Sequence, residues 1–221
     1  MRKLIAAAFV SLDGVMQAPG GPQEDPTGGF TLGGWTFHYW DAPMGQFMAE
    51  TFSSPFDLLL GRKTYEIFAA HWPFVKGSDP IAKSFNGVTK YVVTSSTQPL
   101  TWTNCIALAG DVAAKISRLK QEEGPNLLTQ GSRHLLQTLM EHDLIDELRL
   151  LVFPLVLGSG KRLFAQGSTP GALKLTSATI STTGVIMSVY HPAGAIGTGS
   201  FALEPPSRAE VARRARMKSE G

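Results

Sequence analysis

Residues 57–66 read DLLLGRKTYE. The three leucines Leu58, Leu59 and Leu60 are too few for a helix and fit a buried strand that stops at Gly61. Thr64 is then placed to cap a short helix with Tyr65 and Phe68 on one side. Arg62 and Lys63 fall where strand gives way to helix. Free backbone N–H groups, a helix N-terminus and two cations at one point form a site for an anion, with phosphate the natural choice.

Outward from this point the chain alternates strands and helices. Residues 3–10 read as a first strand closed by the turn Asp13-Gly14, and residues 17–34, with six glycines and three prolines, as a long loop. A loop of that length in a compact domain is usually functional or mobile. Asp41 is positioned to cap a helix carrying Met44, Met48 and Phe52 at helical spacing, with Phe47 beside them. Trp72-Pro73 ends the helix after Gly61. Residues 89–94 (TKYVVT) form a strand, Asp111 caps a helix with Val112, Ile116 and Leu119 on one face, and residues 126–130 form another strand. Gly131-Ser132 opens a helix burying Leu135, Leu136, Leu139 and Met140. Residues 147–154 form a strand, residues 157–160 a glycine turn, and residues 173–181 with 184–191 a closing hairpin. The pattern predicts an α/β sandwich around a mainly parallel sheet with an antiparallel C-terminal edge, in a domain spanning residues 1–192. Residues 193–221 read as a linker and a charged tail, with a short helix at residues 207–218 that lacks an apolar face.

Composition narrows the classes. At 221 residues and 43% hydrophobic content the chain suits one domain with a substantial core. The net charge of +2 resides in residues 204–221, which hold five basic and three acidic side chains, so the rest is neutral and offers no nucleic-acid face. No apolar run reaches the length of a membrane span, and the start MRKLIAAAFVSLDG reads as a strand rather than a signal peptide. Cys105, the single cysteine, excludes an internal disulfide and a cysteine-based metal cluster, which makes the cytoplasm the default location. No His–Glu–His spacing supports a metal, and neither GxGxxG after the first strand, a Walker A sequence nor a GxSxG elbow occurs.

Three strand ends carry glycine or hydroxyl residues at the onset of a helix or turn: Gly61-Arg62-Lys63-Thr64, Thr94-Ser95-Ser96 and Gly131-Ser132. In an open α/β sheet ligands bind beyond the carboxyl ends of the strands, and three such ends together suit an extended phosphorylated cofactor.

The segments SLDG (residues 11–14), LLLGRKTYE (58–66), KYVVTSS (90–96), LLTQGS (127–132) and LIDELRLLVFPLVLGSGKRLF (144–164) occur in that order. In this respect the chain resembles the dihydrofolate reductase superfamily, and within it the reductase domain of the bifunctional riboflavin-biosynthesis deaminase–reductase and the stand-alone proteins built on that domain. The resemblance covers residues 1–191. It implies a dihydrofolate-reductase-like three-layer sandwich and an NADPH-dependent reductase acting on a pyrimidine- or pterin-like small molecule, with 5-amino-6-(5-phosphoribosylamino)uracil as the candidate substrate; an NADPH-binding module without turnover and a dihydrofolate reductase are the alternatives. By position, the resemblance implies that Arg62 and Lys63 face the cofactor phosphates with Thr64 at the helix start, that Thr94 and Ser95 lie near the adenosine 2′-phosphate and that Gly131 and Ser132 lie against the pyrophosphate; Gly14 and Ser96 are further candidates to bind the cofactor. The resemblance also implies a homodimer built through the C-terminal strands. One cysteine cannot make the paired-cysteine zinc site of the deaminase half, so the expected riboflavin role is reduction only.

The rest of the site is read residue by residue. In dihydrofolate reductases a carboxylate on the helix before the phosphate motif assists protonation; here that helix offers Asp41, better suited to a cap, and Glu50, neither at the expected spacing. Asp13, just past the first strand, is the other candidate catalytic carboxylate. Trp35 and Trp40, with Phe37 and Tyr39, follow the glycine loop and are candidates to stack on a planar substrate. Lys161 and Arg162 follow the glycine turn as candidates for a ribose phosphate. His71, His134, His142 and His191 show no spacing that recruits them.

Overall fold

The structure, a computed structural model, describes residues 1–164 and 166–220. Eight strands form one sheet: β1 (Leu4–Ser11), β2 (Phe56–Gly61), β3 (Lys90–Val93), β4 (Cys105–Leu108), β5 (Asn126–Gln130), β6 (Glu147–Phe153), β7 (Leu173–Ile180) and β8 (Ile186–Pro192). Their order is β4-β3-β2-β5-β1-β6-β8-β7; the first six are mutually parallel and β8 runs antiparallel to both of its neighbours. Among the described residues six α-helices accompany them: α1 (Ala42–Thr51), α2 (Arg62–Ala69), α3 (Pro80–Gly87), α4 (Val112–Gln121), α5 (Arg133–Glu141) and α6 (Arg208–Glu220).

Strands covered on both faces must be apolar on both, which is why the leucine run at the end of β2 does not alternate. Leu59 joins one core with Leu4, Ala6 and Ala8 of β1, under α4 and α5. Leu58 and Leu60 join the opposite core with Ile5 and Ala7, against Tyr65 of α2 and Phe85 of α3. A third cluster packs Met44, Phe47 and Met48 of α1 on Leu151 and Phe153 of β6. Leu151 pairs with Phe9, on the same face as Ile5 and Ala7, so the second and third clusters share one face of the sheet and the first lies on the other; helices, sheet and helices are the three layers.

Two elements were not read from the sequence, α3 and β4. Helix α3 carries an ordinary start signal, Asp79 followed by Pro80, and the Asp79 carboxylate accepts from Ala82 N at 2.8 Å. Strand β4 has no alternation of its own and is held by its pairing with β3, Lys90 opposite Cys105. Lys90 is fully buried. Its ammonium donates to Asn86 O and Val88 O, both at 2.9 Å, and sits 4.4 Å from the centre of the Trp102 ring. Burial pushes its pKa down to about 8. Among the described residues no helix is long and apolar enough to cross a membrane.

Candidate functional site

Four helices start with a side-chain cap. Asp41 accepts from Met44 N on α1, Asp79 from Ala82 N on α3, Asp111 from Ala114 N on α4 and Ser207 from Glu210 N on α6. Helices α2 and α5 have none. The sequence reading made Thr64 the cap of α2; the helix instead begins at Arg62, because extended Gly61 (φ −73°, ψ 155°) already serves as the N-cap residue. Ahead of α5, Gly131 (φ 66°) and Ser132 (φ 62°, ψ 56°) are both left-handed. A non-glycine residue in that region is strained, and such strain gathers at ligand sites. The Ser132 hydroxyl does not cap its own helix. It accepts from Gly61 N at 3.0 Å and so ties the end of β2 to the start of α5. Two helix N-termini without a side-chain cap among the described residues therefore stand side by side.

Both open into a cleft of about 1470 Å³ along the carboxyl ends of β1, β2, β3 and β5. Single drug-sized sites occupy roughly 300–1,000 Å³, so the cleft has room for an extended ligand or for two ligands together. Gly61, Arg62, Lys63, Thr64, Thr94, Ser95, Ser96, Gly131 and Ser132 all line it. Arg62 donates to Glu66 Oε1 at 2.6 Å and to Gln98 O at 3.0 Å. Lys63 is exposed and, among the described residues, has no ion-pair partner. Arg133 adds a third cation, and its buried Nε has no hydrogen-bond partner among the described residues. Thr94 closes a turn by accepting from Ser96 N at 3.0 Å. A Cβ on Gly131 would find only Thr64 Oγ1 within 4 Å, at 3.9 Å, so the space in front of this backbone is open. Orphaned donors, an open glycine backbone and three cations fit the phosphates of a dinucleotide.

The other end of the cleft is walled by residues 16–21 and 23–25 of the glycine-rich loop and by Lys161. The sequence suggested a functional or mobile loop; it is pinned. Buried Gln17 donates from Nε2 to Asp25 O at 2.9 Å and Thr27 O at 2.8 Å, and its Oε1 accepts from Lys161 N at 3.0 Å. The Lys161 ammonium pairs with Asp25 and donates to Thr27 Oγ1 at 2.8 Å. Trp35 Nε1 donates to Gln17 O at 2.8 Å and Thr36 Oγ1 to Pro19 O at 2.7 Å. Burial works to raise the Asp25 carboxyl, but hydrogen bonds from Lys161 and Thr27 outweigh it and hold the pKa below the ordinary value.

Several expected site residues lie elsewhere. Asp13 is outside the cleft lining: its carboxylate accepts from Ser11 Oγ at 2.5 Å, Leu157 N and Gly158 N at 3.0 Å and Arg162 Nη2 at 3.2 Å. The Ser11 bond foremost keeps its pKa low, and the group fastens the segment after β6. Gly14 serves the turn beside it, with φ 81°. Glu50 is exposed on α1 and accepts from Gln46 Nε2 at 2.9 Å. Asp41 is the cap of α1. Trp35 packs edge-on against Phe153 and Trp40 against Phe9, with centroid distances of 5.1 Å and 6.3 Å; of these four rings only Phe9 lines the cleft. Lys161 and Arg162 are both committed to carboxylates. The cleft also gains residues the sequence reading left out: Gln130, Arg133, Glu24 and Asp25, with His71 and His134, which it set aside. Arg133 and His134 directly follow Gly131-Ser132, so extending that motif by two residues would have found them.

Fold and cleft together define an α/β protein with a dihydrofolate-reductase-like sheet and an anion-ready cleft at its strand ends. Residues 2–187 match the RibD C-terminal domain family, and the chain belongs to it. It is 28% identical over 200 residues to the uncharacterized protein YyaP of Bacillus subtilis (strain 168), covering 86% of this chain and 95% of that one. Among solved structures, a candidate riboflavin-biosynthesis protein from Shewanella sp. PV-4 superposes with a TM-score of 0.60 at 18% identity, covering 86% of this chain and 99% of the other. Dihydrofolate reductase from Enterococcus faecalis, complexed with NADP(H), superposes with a TM-score of 0.56 at 14% identity, covering 86% and 96%.

Proposed function

We propose that this protein is an NADPH-dependent reductase of a pyrimidine- or pterin-like small molecule, of the 5-amino-6-(5-phosphoribosylamino)uracil reductase type. The observation that carries the reading is the pair of uncapped helices, α2 and α5, meeting at one cleft beside Lys63, Arg62 and Arg133. The N-termini of α2 and α5 would hold the pyrophosphate, with Gly131 permitting close backbone approach. Lys63 and Arg133 would neutralise phosphate charge, and Arg62 would do so by exchanging Glu66 for the ligand. Thr94, Ser95 and Ser96 would face the adenosine end. When bound, the reduced nicotinamide supplies the hydride; the protein positions it and excludes water. Membership of the RibD C-terminal domain family and the fold shared with an NADP(H)-bound reductase support the reading.

The exposed edge strand β7, with Leu173, Leu175 and Ile180 open to solvent, supports association of two copies. The test is NADPH binding followed by fluorescence or calorimetry. The wild type should bind. Lys63→Ala should weaken binding by roughly tenfold or more, as expected for a charge-assisted hydrogen bond. Absence of binding to the wild type would sink the proposal.

A further inference from the structure

Reducing a C=N or C=O bond takes a hydride at carbon and a proton at the heteroatom. The carboxylates expected to supply that proton, Asp13 and Glu50, lie outside the cleft. Among the described cleft-lining residues the carboxylates are Glu66, Glu24 and Asp25. Glu66 is exposed and paired with Arg62 at the phosphate end. Asp25 is held as an anion by Lys161 and cannot give up a proton it does not carry.

Glu24 differs from both. It is half-buried in the pinned loop, with its backbone N–H bound to Gly21 O at 3.1 Å and its Oε2 accepting from Gly20 N at 2.5 Å. Gly20 beside its carboxylate carries no charge, and among the described residues no salt bridge engages Glu24. We infer that Glu24 is the proton donor of the reduction, fixed over the cleft by the loop that Gln17 and Lys161 pin in place. The inference rests on the reductase reading above. As hydride adds to the substrate carbon, the electron pair of the C=N or C=O bond moves to the heteroatom. The O–H bond of Glu24 breaks, an N–H or O–H bond forms, and the carboxylate left behind regains a proton from water.

The surroundings suit this task. Burial raises the Glu24 carboxyl above its ordinary value, and the negative charge of Asp25 acts in the same direction. The Gly20 and Gly21 N–H groups and any charge on His71 pull it down. Asp25 and His71 are the titratable groups that face it, while Lys161 is taken up by Asp25 and Thr27. Two adjacent carboxyls whose environments drive their proton affinities apart provide one acid and one fixed anion.

The experiment compares the wild type with Glu24→Gln and Glu24→Asp. NADPH affinity should stay within about twofold in both variants, since the phosphate end is untouched. With 5-amino-6-(5-phosphoribosylamino)uracil as the probe substrate, Glu24→Gln should lower kcat by about 10²–10⁴-fold and lose the limb of the pH profile that requires a protonated acid. Glu24→Asp should restore part of both. Independently of turnover, carbon-13 NMR of glutamate-labelled protein should show one carboxyl titrating above the ordinary glutamate range and missing from Glu24→Gln. A Glu24 that titrates at the ordinary value, or a Glu24→Gln enzyme with wild-type kcat and pH profile, overturns the inference and leaves the reductase reading standing. A wild type that binds no NADPH overturns both.

Discussion

The two ends of the cleft are built in opposite ways. At the α2 and α5 end, donors are left unpaired: two helices lack caps, Arg133 Nε has no partner and Lys63 has no counter-ion among the described residues. At the loop end, donors and acceptors are tied to one another. Gln17 alone joins Asp25, Thr27 and Lys161. An anion can itself satisfy open N–H groups, so the first end can wait for its ligand. A loop of glycines and prolines has no ladder of its own to hold it, so side chains must cross-link it before it can form a wall.

That contrast can be broken from the loop side most strongly. Gln17→Ala leaves Asp25 O, Thr27 O and Lys161 N without their partners. A fully buried group left unsatisfied costs about 1–3 kcal/mol; these three bonds are part-buried and water replaces them in part, so together the loop should lose roughly 3 kcal/mol of local stability. Hydrogen exchange across residues 17–34 should rise sharply while α2 and α5 keep their protection. Protection lost equally at both ends would mean the two are one cooperative unit.

A smaller effect is expected at the α2 and α5 end. Ser132→Ala removes the hydroxyl that accepts from Gly61 N and should cost about 1–2 kcal/mol in urea unfolding. It should also weaken NADPH binding by loosening the junction between β2 and α5. Unchanged stability would show that the tie between these two elements is not needed.

The smallest effect concerns the Lys161–Asp25 pair. The folded pKa of Asp25 lies below the ordinary 3.8. The pair's contribution is thus fully present above about pH 4 and fades as pH falls through the lower folded value. Lys161→Met should cost no more than about 1 kcal/mol at neutral pH, as for partly exposed pairs, with the gap to wild type closing under acid. A gap that widens on acidification would reverse the assignment.

How much of this was legible in the sequence depended on how local each signal was. DLLLGRKTYE disclosed its strand, its glycine stop and its cations, because each follows from neighbouring residues. The caps at Asp41 and Asp111 read correctly for the same reason. Thr64 was misread as a cap because a glycine in extended conformation can start a helix without a side-chain signal. Helix α3 was passed over although Asp79-Pro80 announces it. Strand β4 gave no signal, since four residues with half-exposed side chains become a strand only by pairing with β3.

The site followed the same rule. Nine residues expected at a phosphorylated ligand reached one cleft because they sit at strand ends, and strand ends in a parallel sheet share an edge. Asp13, Glu50, Trp35 and Trp40 did not reach it. A carboxylate or an indole in a loop has no periodicity to aim it, and Asp13 turned to the segment after β6 while the two indoles turned to Phe153 and Phe9.

By itself the sequence determined the α/β alternation, the apolar strands buried on both faces, the starts of most helices and the glycine and hydroxyl residues at three strand ends. These rest on contacts between residues close in the chain. Only the tertiary structure decided that α2 and α5 stand uncapped at one cleft, that Gln17 and Lys161 fasten the glycine-rich loop, and that Glu24 rather than Asp13 lines the cleft. Those outcomes depend on hydrogen bonds between segments as far apart as Gln17 and Lys161, whose partners are chosen only when the sheet brings them together.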